Sequence, residues 1–491
     1  MHRALRLQEI LDCVVPHLAN SDVAVLARVA SIFFQPCITR LYGDCNQATL
    51  KKVFRIMYPD EGYHLRYDTS AQMSARLRLY CSCVRKVYDI TIEKRATMAL
   101  PLSSDCMETS MLHDLGLWIQ KDAGLTCVFP RLHTLHLALA DDSSLPLAQV
   151  LLSPVLYQLV LFFRKTEHAL GHIGPFCNSL VRTSPNLGKV MVFGRVFKHG
   201  VDYNRLFDGL KYLRDLHHLD IPADGCGLVS YLDDNNSLDA LGLMLRPESS
   251  LPPLTLFRGL RQLRLRGSLE RICAVVEAAE FDNLTVFMLS VEDPTHVELM
   301  RRINTALVRK VPRLTDYTFS LVGNRETRAT TDVPAVEDFS SLCQLERLET
   351  LDVYLRPYGW QIDNSPGKHD SILRSFSRIS TLRTLNWYWR LKPQALASPG
   401  VLVDLARNCP ALEAVWLPVD LRMPPSAEGL PSQHVLRSLL LNGASVVDQA
   451  RLVEAELFLL SLFPNACMDD FKALCRPIDN VFLALGLQLP V

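Results

Sequence analysis

Between Arg347 and Leu355, in RLETLDVYL, apolar side chains stand at Leu348, Leu351 and Val353 with polar or charged residues among them. The last two are two positions apart, so they point to one face of a short strand while the residue between them points to the other. The same L-x-x-L-x-L frame fits Leu132-Leu135-Leu137, Leu156-Leu159-Leu161, Leu187-Val190-Val192, Leu216-Leu219-Ile221, Leu260-Leu263-Leu265, Leu284-Phe287-Leu289 and Leu314-Tyr317-Phe319 before it. After it come Leu382-Leu385-Trp387, Leu412-Val415-Leu417 and Leu436-Leu439-Leu441, and a looser copy, Val87-Ile90-Ile92, precedes them all. Most first positions lie about 24 to 34 residues apart. One strand cannot bury its apolar face alone, so such a period predicts repeats that bury it against each other.

Helical spacing fills the intervals. It predicts helices over Met73–Val84, Thr109–Lys121, Thr295–Arg309, Lys368–Phe376 and Val446–Phe463. The widest interval reads as a helix within Gly225–Leu245 followed by a Pro-rich loop, PESSLPPL, that bulges from one edge. The intervals after Leu132, Leu260 and Leu412 leave room for one or two helical turns. Gly323–Val333 reads as a polar insert, and the segment from Asp469 onward as the closure of the last apolar edge. The frame resembles a degenerate leucine-rich repeat that lacks most of the usual Asn or Cys ladder. The fold class expected is α/β: a small helical N-terminal module, then an irregular solenoid of parallel strands with helices on its convex side. The boundaries are a module over 1–45, a helical linker over 46–75 containing a helix at Ala48–Met57, and a solenoid over 76–491 with a C-terminal cap.

Residues 4–45 follow another rhythm. Leu7, Ile10, Leu11, Val14 and Leu18 fall at helical spacing up to and past Pro16. Asn20-Ser21-Asp22 is a helix-start signal, and Val23, Leu26, Ala27, Ala30 and Phe33 line one face of a second helix. Cys37, Ile38, Leu41 and Tyr42 give a third, entered through Pro36 near its first turn. With Leu7-Gln8-Glu9-Ile10-Leu11, Asp22-Val23, Ala27-Arg28-Val29-Ala30 and Leu41-Tyr42, this stretch resembles an F-box, in the F-box-like form found in fungi; Gln8 and Ala30 depart from its Pro and Cys. The resemblance implies docking on a Skp-type adaptor, and through it a cullin, with the repeats holding a protein substrate for ubiquitin transfer. Carried over residue by residue, the adaptor-binding set is Leu7, Ile10, Leu11, Val14, Leu18, Val23, Leu26 and Phe33. The alternative is a ligase-independent repeat scaffold whose first helices cap the array, as terminal repeats require.

Composition narrows the function class. The chain has 491 residues, 48% hydrophobic and 21% charged, which is folded rather than disordered material. Fifty-two basic and fifty-two acidic residues cancel, so the electrostatic footprint of a nucleic-acid binder is missing. Fourteen dispersed cysteines, among them Cys13, Cys177, Cys273 and Cys409 with apolar neighbours, read as reduced and mostly buried thiols. Charges interrupt the N-terminus and every later apolar run, which argues against a signal peptide or a membrane span. The expected setting is intracellular, cytoplasmic or nuclear, and the sequons at Asn235 and Asn283 are then not glycosylated.

No motif points to chemistry of the chain's own. Ser445 lacks the second Gly of a nucleophile elbow, and no phosphate-binding Gly-rich loop or zinc-type HExxH or CxxC pair occurs. Cys81-Ser82-Cys83 is one residue too tight for a zinc knuckle and reads as buried thiols. His217-His218 reads as one exposed and one packed side chain, and Asp233-Asp234 and Asp469-Asp470 as solvated charges. The expectation is a non-enzyme without cofactor or metal. What remains is the concave sheet face, where the frame puts Arg264, Arg266, Asp352, Tyr354, Asn386, Tyr388 and Trp416. Arg, Tyr and Trp dominate protein-binding hot spots, so this row is the candidate substrate surface.

Overall fold

The computed structural model describes residues 8–54, 71–93, 107–121, 126–139, 144–163, 172–194, 210–221, 238–245, 257–293, 298–321, 336–355, 368–389, 396–426, 429–433, 435–441 and 451–467. The chain divides into two compact units, Met1–Ala223 with Gly227–Leu238 and Asp224–Cys226 with Asp239–Val491. Leu7, Asn235, Ser445, both predicted aspartate pairs, the loop PESSLPPL and the insert Gly323–Val333 lie outside the described residues.

The first unit opens with helices α1 (Gln8–Val14), α2 (Asn20–Val29) and α3 (Ser31–Tyr42). Its sheet is parallel: β1 (Asp44–Asn46), β2 (Lys86–Glu93), β4 (Thr134–Leu139), β5 (Gln158–Phe163), β6 (Lys189–Gly194) and β7 (His218–Ile221) pair in that order, with the two-residue β3 (Met107–Glu108) on β2. In the second unit β8 (Ala240–Leu245), β9 (Gln262–Ser268), β10 (Val286–Asp293), β11 (Asp316–Leu321), β12 (Thr350–Leu355), β13 (Thr384–Trp389), β14 (Ala414–Leu417) and β15 (Ser438–Leu441) pair in chain order, all parallel. Each unit is a stack of leucine-rich-repeat-like strands joined by helices or turns.

The frame works as its spacing demands. In each of the eleven clear copies all three apolar positions are buried, so they form the core ladder between sheet and helices. A further position precedes them. The first Leu of the frame donates its N–H to the carbonyl three residues back, as in Leu132 to Phe129 (3.1 Å), Leu187 to Ser184 (3.2 Å), Leu314 to Val311 (3.1 Å) and Leu412 to Cys409 (3.1 Å). In these four, Pro130, Pro185, Pro312 and Pro410 fill the second place of the turn, where a fixed φ costs nothing. That turn starts the strand at the same point in successive repeats.

Several expectations change. Ala240–Leu245 is a strand, not part of a helix, and Leu238, Leu241 and Leu243 are a further buried copy of the frame. The first copy slips: Val87 stands opposite Leu135 and Ile90 opposite Leu137, with an extra residue bulged between them, so the frame's first position falls to buried Val84. The interval after Leu260 holds a ten-residue helix, Leu269–Ala278, more than one or two turns. It is entered through Gly267, whose φ of +150° and whose missing Cβ, which would lie 2.2 Å from the Leu245 carbonyl oxygen, leave no room for another residue. The predicted linker helix is Gln47–Phe54 and the C-terminal one Leu452–Leu462, while Thr109–Lys121 and Lys368–Phe376 form as read.

In the N-terminal module α2 stops at Val29, because Ala30 is extended (φ −156°, ψ 150°). Ala30 and Phe33 are therefore not on the second helix, and Pro36 sits inside α3 rather than in its first turn. Leu11, Val15, Val23, Ala27, Phe33 and Cys37 close a core of their own. Asp44 and Cys45 leave α3 directly into β1, beside β2.

Candidate functional site

Strand pairing sets the candidate row. In register across the second unit run Arg264, Met288, Thr318, Asp352, Asn386, Trp416 and Leu440, and two residues further along Arg266, Ser290, Ser320, Tyr354 and Tyr388. Along the strands these residues alternate with the buried frame positions, and all seven predicted face residues lie half-buried on the opposite side of the sheet from the core. The structure gathers five of them. Asn386 donates its amide to Asp352 Oδ1 at 2.7 Å and reaches the Tyr354 hydroxyl at 3.5 Å. The Trp416 ring meets Tyr388 edge to face at 4.9 Å and Tyr354 at 6.4 Å. Arg264 and Arg266 stay apart, three strands from Asp352, or about 14 Å at the usual strand spacing. Arg266 is engaged by Glu292 at 2.7 Å.

Burial pushes the Asp352 carboxyl above its ordinary range, and nearby Asp316 adds to this; the Asn386 hydrogen bond pulls the other way. The folded state thus holds this proton more tightly than the unfolded chain does, so the charged form costs stability at neutral pH. Asp352→Asn keeps an acceptor for Asn386 and removes the charge. Its melting temperature is expected to exceed the wild type's at pH 7. The gain should shrink as pH falls through the raised value and vanish below about 3.9, the unfolded carboxylate's midpoint. Thermal melts of both proteins across that range check the sign.

The first unit's corresponding face went unread in the sequence. Ala138, Phe162 and Phe193 stand in one register row and Val160 and Met191 in another, and Phe162 is 45% exposed. The signal was present: in QLVLFF and KVMVFG apolar residues occupy both strand faces, whereas only one faces the core. Beside them Tyr157 and His217 meet at 2.7 Å from hydroxyl to Nε2, across Gly188, where a Cβ would lie 2.6 Å from both rings. His217 and His218 are both half-buried, not one exposed and one packed.

Of the adaptor-binding set, Leu11, Val23 and Phe33 are inside the module's own core, Ile10, Leu18 and Leu26 are half-buried, and Val14 is 47% exposed. On α2, Val25 and Val29, one turn apart and outside that set, are 63% and 67% exposed. Cys177, Cys273 and Cys409 are buried as expected, but Cys13 is exposed. Cys45, Cys81, Cys83 and Cys127 are buried near one another, and burial raises the Cys45 thiol to about 12 and Cys81 further, which keeps both protonated. Among the described residues no group of three His, Cys, Asp or Glu is placed to hold a metal ion, and no helix is long and apolar enough to cross a membrane.

No known protein family and no curated protein matches this chain. Among solved structures, the crystal structure of an internalin from Listeria monocytogenes is similar at 11% identity and a TM-score of 0.30, over 77% of this chain and 90% of that one.

Proposed function

We propose that this chain is a protein-binding repeat scaffold that serves as the substrate-recognition subunit of a Skp–cullin–F-box type ubiquitin ligase. The repeats would hold a protein substrate on the sheet face of the second unit, and the N-terminal helices would dock on the adaptor. Ubiquitin transfer would take place on partner subunits, with this chain supplying position and effective concentration. The observation carrying the proposal is a helical module that closes its own core yet leaves Val14, Val25 and Val29 open to solvent. Three exposed valines on two short helices favour a protein partner over water. The second reading, a cap, draws support from α3, which packs against the helix Ala71–Cys83 and leads straight into β1.

Substitutions at Leu11 or Val23 would empty the module's core and answer neither reading. Val25→Asp with Val29→Asp changes only exposed positions. The full chain is expected to retain a purified Skp-type adaptor on a column, and the double variant to retain at least about ten-fold less with an unchanged melting curve. No capture by a folded wild-type chain would leave the cap reading in its place.

A further inference from the structure

On the sheet face of the second unit, Asp352, Tyr354, Asn386, Tyr388 and Trp416 form one cluster across β12, β13 and β14. Asn386 holds one oxygen of the Asp352 carboxylate at 2.7 Å. Trp416 stands edge to face with both tyrosines, at 4.9 and 6.4 Å, and the Tyr354 hydroxyl, 3.5 Å from the same Asn386 amide, joins these half-buried rings to the carboxylate's cluster. Among the described residues Arg266, three strands from Asp352, is paired with Glu292, and Arg383 with Glu413 and Glu349. No lysine or arginine among the described residues pairs with Asp352, and the charge that acts on it is another carboxylate, Asp316. Aromatic faces carry negative potential and attract cations, most strongly at Trp.

We infer that this cluster is a subsite for a lysine or arginine side chain of the protein partner, with Asp352 taking its charge and Tyr354, Tyr388 and Trp416 covering its stem and cationic head. The assignment rests on the reading of this face as a protein-binding surface. It is independent of adaptor docking, which uses other residues in the other unit. A bound cation would also offset the burial and like-charge effects that disfavour the ionised carboxylate.

The test uses the full-length chain and ligand-observed NMR saturation transfer to N-acetyl-arginine amide and N-acetyl-lysine amide. The uncharged citrulline and leucine amides serve as references. The two cationic probes are expected to bind about five-fold more tightly than citrulline, with the difference shrinking at high salt. Asp352→Asn should erase that preference and Trp416→Ala should weaken every probe, each with the chain still folded by circular dichroism. Equal binding of arginine and citrulline amides, or a preference that survives Asp352→Asn, overturns the cation subsite. If the leucine amide still binds and is lost in Trp416→Ala, the protein-binding face stands without it. If no probe binds, the reading of the face falls too.

Discussion

Trp387→Ala is expected to destabilise the second unit by about 3 to 5 kcal/mol, the cost of emptying a large aromatic site in a packed core. Trp387 is the third position of the frame in β13 and is fully buried. Its ring meets Phe339 at 5.6 Å and Phe376 at 5.6 Å, and Phe339 meets Phe319 of the neighbouring repeat at 5.3 Å. One indole thus joins two repeats and the elements that cover them, and neighbours held by the helical segments Val336–Gln344 and Lys368–Phe376 cannot collapse fully into the space it leaves. Trp416 is the contrast. It is the same residue type one strand away but on the outer face, half-exposed, and Trp416→Ala should cost about 1 kcal/mol, mostly in lost ring contacts. Urea unfolding of both variants, followed by far-UV circular dichroism, measures the difference. Similar losses for the two would mean that the assignment of inner and outer faces is wrong.

That assignment was legible because a strand has only two faces. Once Leu351 and Val353 were taken as core, Asp352 and Tyr354 had to lie outside, and the structure puts them there. The strand at Ala240–Leu245 escaped because Leu238, Leu241 and Leu245 also satisfy helical spacing, and both Ala240 and Leu241 are buried, so alternation is lost. In the helical module the break at Ala30 carries no Gly or Pro to announce it. It is set by tertiary packing of α2 on α3 and by the Ala30 carbonyl accepting the N–H of Phe33 at 3.0 Å. What the frame could not give is contact. Asp352 and Asn386 are 34 positions apart and meet only because two repeats share a register; a slip of one residue in that register would turn the amide to the core face.

The other large effect concerns a polar group in the core. Asn304, on the helix Glu298–Lys310, is fully buried; it accepts from the Tyr317 hydroxyl at 2.9 Å and donates to the Asp338 carbonyl at 2.8 Å. It thereby ties a helix, a strand and the short helical segment Val336–Gln344 together at the back of one repeat. Asn304→Ala would strand a hydroxyl and a carbonyl away from water and leave a small void, at about 1 to 3 kcal/mol for each unpaired group. Asn304→Asp separates the hydrogen bonds from the void. Protonated, the acid can accept from Tyr317 and donate to Asp338 as the amide does. Ionised, it is a buried charge, with a carbonyl facing it in place of a donor. Its pKa in the folded state must therefore lie above the unfolded value of about 3.9, so the folded state binds the extra proton. Stability relative to the wild type should then be nearly intact below that value and fall steadily as pH rises, levelling off only above the folded pKa. Chemical denaturation of Asn304→Asp and wild type at pH 4 to 8 reads this slope. A deficit independent of pH would mean that water reaches the site and that the network is not closed.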